Sequence, residues 1–220
     1  SNLGGSFATI TVRAQFERAA RLFPTPSGAC YADDPLGGVP ALRCAAGPAE
    51  PGRTILYLHG GAYLMGSRNT HRHLAAALAG AARAEAWLPD YRLAPEHAFP
   101  AAVEDALACW RALLDRGVAP GRAAFAGDSA GGGLVFALLH ASRAEGLPDP
   151  ARLLAFSPWC DMTGEADALR RNARADALLP ASRLHDVTGW LLRGADPRDP
   201  RASPALARYA PPPPPALIYA

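Results

Sequence analysis

Between residues 54 and 156 the sequence alternates two kinds of segment, and this alternation restricts the fold more than any other feature. Short, almost wholly apolar runs occupy residues 54–58, 84–88, 123–126 and 153–156. Between them lie stretches whose apolar residues recur at helical spacing. Asn69 or Thr70 supplies a cap for a helix running to about residue 82. Pro100 opens a second helix, with Val103, Ala106, Leu107, Trp110, Leu113 and Leu114 on one face. A third follows Gly127 and runs to about residue 144. Strands apolar on both faces, taken in turn with amphipathic helices, pack as a mostly parallel sheet covered on both sides.

The flanks read differently. Val12, Phe16, Ala19, Ala20 and Phe23 predict an amphipathic helix over 11–23, stopped by Pro24 and Pro26. Extended segments at 29–32 and 39–45, separated by Asp34, Pro35, Gly37 and Gly38, predict an edge hairpin. Residues 161–203 are charged and turn-rich, with one helix near 182–192, and read as an insertion over the sheet. Five prolines at 211–215 lead into 216–220, which has the look of a buried core strand. No turn or polar residue follows that run, so the natural protein is expected to continue past Ala220.

The chemistry concentrates in two glycine-rich turns. Gly127-Asp128-Ser129-Ala130-Gly131 fits G-x-S-x-G, with an apolar strand before it and a helix after it. A serine projecting from so sharp a turn is an exposed nucleophile, and glycines keep side chains away where backbones crowd. The helix start adds free N–H groups and a positive dipole end. His59-Gly60-Gly61-Ala62 follows the strand at 54–58, upstream of the serine, where an oxyanion loop belongs. The expected donors are the N–H groups of Gly60, Gly61 and Ala130, with Ser129 as the attacking group.

Composition excludes several classes. All 22 basic residues are Arg, set against 20 acidic ones, and only Arg170 and Arg171 are adjacent. A nucleic-acid reader needs a concentrated basic face. No apolar run approaches the roughly 18 residues that would span a bilayer. Cys30, Cys44, Cys109 and Cys160 form no C-x-x-C pair and no disulfide framework, so they read as free thiols of a cytoplasmic protein, with one Cys30–Cys44 bridge across the hairpin left open. His71 and His73 form an H-x-H at a helix start, better explained by a polar helix face than by a metal. Tyr63 and Trp159 fit a pocket wall and a core position equally well.

These motifs, with Asp90-Tyr91-Arg92-Leu93-Ala94-Pro95-Glu96, Phe99-Pro100-Ala101-Ala102 with Asp105, and Ser157-Pro158-Trp159, resemble the hormone-sensitive-lipase-like family of α/β-hydrolases, mostly bacterial carboxylesterases. The resemblance runs from about residue 55 to 220. It implies an α/β-hydrolase fold with a helical cap, no metal and no organic cofactor. The corresponding division is 1–26 as N-terminal cap segment, 27–161 as hydrolase core, 162–205 as cap insertion and 206–220 as a further core strand. It implies a small-molecule ester substrate of short or medium acyl chain, with neither nucleic acid nor membrane span involved. Tyr91, Arg92 and Glu96 are read as a structural turn with an internal ion pair. Ala62 stands where the family often has a third glycine. The family's catalytic acid follows the strand matched by 216–220, with its histidine later still. A substitute triad of Asp161 or Asp176 with His185 keeps the chain order but falls in the insertion. Two other readings stay open: an amide or formamide hydrolase, and a non-catalytic small-molecule-binding relative.

Overall fold

A computed structural model describes residues 3–172 and 181–220. Seven strands form one sheet: β1 (Ala29–Asp33), β2 (Ala41–Ala46), β3 (Thr54–Leu58), β4 (Glu85–Pro89), β5 (Ala123–Asp128), β6 (Arg152–Phe156) and β7 (Ala216–Tyr219). Their spatial order is β1-β2-β4-β3-β5-β6-β7. β1 and β2 pair antiparallel, as do β2 and β4, and every later pairing is parallel. The apolar runs are thus the parallel strands, with the hairpin at one edge.

Both faces are covered, which is why the central strands carry no polar alternation. On β3, Leu56 and Leu58 join a core with Trp110 of α3 (Ala101–Asp115) and Leu134 and Leu138 of α4 (Ser129–Ala144). Ile55 and Tyr57 point the other way, to Ala75, Ala76 and Ala79 of α2 (Arg68–Ala82). Trp110 meets Phe125 of β5 edge to face, ring centres 4.9 Å apart.

Several local expectations shift. The N-terminal helix is α1 (Leu3–Ala20); beyond it, Arg21, Leu22 and Phe23 donate three residues back, so the last turn tightens before Pro24 and leaves Phe23 exposed. The cap of α2 is Ser67, whose hydroxyl accepts from Asn69 and Thr70 N–H while Thr70 Oγ1 accepts from Ser67 N–H. Thr70 therefore closes the capping box from inside the helix. Cys30 pairs with Ala45 and Cys44 with Tyr31, so the two thiols leave opposite faces of the hairpin and both are free. The insertion holds a short α5 (Asp167–Arg171) besides α6 (Ala181–Leu192). β7 pairs parallel with β6 as the last strand among the described residues, with Leu217 65% and Ile218 54% exposed. Among the described residues no helix is long and apolar enough to cross a membrane.

Candidate active site

β5 passes into α4 with no intervening loop. Asp128 is still extended at φ −123°, and Ser129 turns the chain with φ 52°. A left-handed serine is strained, and neighbouring backbone holds it there. A Cβ on Gly127 would come within 2.6 Å of Leu58 O, and one on Gly131 would overlap the same oxygen. Only glycine at both places lets the elbow press against the end of β3. Ser129 O accepts from Trp159 N–H at 2.8 Å, while its hydroxyl has no partner among the described residues. Leu58 and Gly127 are register partners, so the two glycine-rich turns leave the sheet side by side at its C-terminal edge.

The first of those turns is unusual throughout: Gly61, Ala62 and Tyr63 have φ of 123°, 56° and 59°. It closes by Leu64 and Met65 N–H donating to Gly61 O, at 3.0 and 2.9 Å. Gly60 N–H donates to Asp128 Oδ1 at 3.0 Å, so this expected oxyanion donor is already engaged. The N–H groups of Gly61 and Ala62 carry no partner among the described residues. Ala130 sits in the first turn of α4, where helical N–H groups have no intrahelical acceptor.

Asp128 ties the turns together. Its Oδ1 also accepts from Tyr57 Oη at 2.7 Å, and its Oδ2 faces His71 Nε2 at 3.4 Å. Burial pushes this carboxyl up, but His71, Tyr57 and the Gly60 N–H outweigh it and hold the group below the usual carboxylate value. His71 Nδ1 lies 2.7 Å from Thr70 Oγ1, inside the capping box. His71 and His73 are both buried rather than on a polar face, His71 against Asp128 and His73 edge-on to Tyr31. His59 stacks on Tyr91 at 4.2 Å, and Tyr91 Oη donates to His59 O at 2.5 Å. Burial, then the neighbouring His71, draws the His59 imidazole down to about 3, so it is neutral at pH 7.

Nothing in the spacing of Tyr57, Gly60, His71 and Asp128 announces this cluster; an Asp in the variable position of the serine motif is its only sequence trace. The turn at 90–96 pairs outward: Arg92 binds Asp105 through its N–H and Nε, and Glu96 binds Arg13 of α1. Of the substitute triad, Asp161 Oδ1 accepts from Thr163 N–H and hydroxyl, His185 is exposed on α6, and Asp176 lies outside the described residues. Tyr63 and Trp159 approach each other at 6.4 Å, Tyr63 fully in the core. Two apolar hollows flank α1. One, of about 550 Å³, is lined by Phe16, Phe23, Leu74 and Ala77 with His71 and Asp128; the other, of about 220 Å³, by Val12, Leu64, Met65, Val187 and Trp190.

Known proteins resemble this chain in sequence and fold. A family described by the α/β hydrolase fold matches residues 55–220. An acetyl-hydrolase of Streptomyces hygroscopicus is 48% identical over 156 residues, which are 71% of this chain and 52% of that protein. An esterase of Acinetobacter venetianus is 34% identical over 200 residues, 90% of this chain and 66% of its own. The chain thus spans between about half and two thirds of these curated relatives. The crystal structure of an esterase from the bacterial hormone-sensitive lipase family superposes with a TM-score of 0.90 at 39% identity, over 96% of this chain and 70% of that one.

Proposed function

Since the chain belongs to the α/β-hydrolase fold family, in its hormone-sensitive-lipase-like esterase branch, we propose that it hydrolyses carboxylic esters through an acyl-enzyme on Ser129. The observation that carries this reading is the left-handed Ser129 at a loop-free strand–helix junction, its hydroxyl and the N–H groups of Gly61 and Ala62 without partners among the described residues. Ser129 Oγ attacks the ester carbonyl, the alcohol leaves, and water releases the acyl group. The carbonyl oxygen gains charge on attack and takes hydrogen bonds from the N–H groups of Gly61 and Ala130. Ala62 joins them in place of Gly60, whose N–H serves Asp128. The proton of Ser129 passes to a histidine oriented by an acid, both of which follow the serine in the chain order of this fold.

The relatives' names support short acyl groups: one is an acetyl-hydrolase. The test is covalent labelling by a fluorophosphonate, with the added mass on the peptide containing Ser129 and none in Ser129→Ala. Labelling that survives in Ser129→Ala would sink the assignment. Faster turnover of aryl palmitate than aryl butyrate would remove the acyl-length reading.

A further inference from the structure

One guanidinium joins three distant segments. Arg13, on α1, donates from Nε to Leu64 O at 2.6 Å and from one terminal nitrogen to Ala94 O at 2.8 Å. It also grips both oxygens of Glu96, at 2.8 and 2.9 Å. Glu96 is half exposed, and an ion pair there contributes little by itself. The carbonyl bonds are the informative ones. Leu64 belongs to the turn that presents Gly61 and Ala62, and its N–H closes that turn on Gly61 O. Ala94 grips the same turn, donating its N–H to Tyr63 O at 2.9 Å. Among the described residues, both hydrogen bonds that residues 63 and 64 accept from outside the turn therefore lead to Arg13.

The turn needs such ties, because Ala62 and Tyr63 hold left-handed conformations that L-residues resist unless their surroundings fix them. We propose that Arg13 is a positioning residue that couples seating of the N-terminal helix to the shape of the oxyanion turn. This rests on the esterase reading for its catalytic consequence, but the coupling itself is a property of the fold. A planar fork with five donors can serve two carbonyls and a carboxylate together; an ammonium cannot hold that set in one plane. A second contact, Ser67 Oγ donating to Glu17 Oε1 at 2.5 Å, keeps α1 against α2 when Arg13 is changed.

The experiment compares Arg13→Gln and Arg13→Lys with Arg18→Gln, which removes an exposed charge from the same helix. Amide hydrogen exchange is followed at Leu64 and Met65 and along β5, and ester turnover is measured in parallel. Arg13→Gln should speed exchange at Leu64 and Met65 about tenfold or more while β5 is unchanged. It should lower kcat on the order of tenfold, with KM nearly constant, because misplaced donors weaken the transition state more than the ground state. Arg13→Lys should rescue neither effect, and Arg18→Gln should show neither. Unchanged exchange at Leu64 and Met65 in Arg13→Gln overturns the coupling. A rise of equal size along β5 also overturns it, since a mere structural prop would produce that. If the unmodified protein turns over no ester, the esterase reading falls while the exchange result still decides the coupling.

Discussion

Ser129 and Asp128 are adjacent and face opposite demands. The serine holds a backbone conformation that costs on the order of 1 kcal/mol for a residue with a Cβ. Ser129→Gly should therefore raise stability by about 1 kcal/mol in urea denaturation while abolishing covalent labelling. A variant no more stable than the parent would show that the elbow is unstrained. Asp128 carries three contacts, from β3, the turn that follows it and α2. Asp128→Asn keeps an oxygen for Tyr57 and Gly60 and should cost about 1 kcal/mol, whereas Asp128→Ala leaves both donors without an acceptor and should cost about 3 kcal/mol. Equal losses in the two variants would deny that those donors depend on the carboxylate.

Among the elements, α2 shows how far local signals reach. Its start was legible as a capping site, yet the cap is Ser67, because its hydroxyl alone serves two N–H groups while Thr70 answers from N3. Ser67→Ala should cost about 1 kcal/mol of stability, read from the urea midpoint at constant slope. No loss would mean that Thr70 or water takes over. β3 was readable to the residue, since a short apolar run bounded by glycines fixes both its type and its end. The elbow was readable for the same reason. The burial of His71 and His73, the grip of Arg13 and the role of Asp128 were not. They depend on contacts between residues 57, 60, 71 and 128, or 13, 64 and 94, which only the folded sheet brings together.

Over the whole molecule, buried titratable groups link folding to pH. His59 is neutral in the folded state and would bind a proton at about 3, against about 6.5 when unfolded. Below about 6.5 the unfolded chain binds the extra proton, so stability should fall steadily as pH drops toward 3. His59→Phe keeps a ring against Tyr91 and removes the titration, so its stability should decline less between pH 6 and 4. Parallel curves for the two proteins would exclude His59 as the source. Asp128, held below its ordinary value, adds a later loss: its contribution is present above about pH 4 and disappears as pH falls through the depressed folded value.

The hairpin register also has a practical outcome. Cys44 and Cys109 are buried with thiols pushed up to about 12, and partly buried Cys160 to about 11, whereas Cys30 stands exposed on β1. A thiolate is the reactive species, so a maleimide dye at neutral pH should attach at a single position on the far edge of the sheet from β7. The chain thereby carries a native anchor for fluorescence distance measurements, with no cysteine to remove beforehand and no perturbation of the serine elbow.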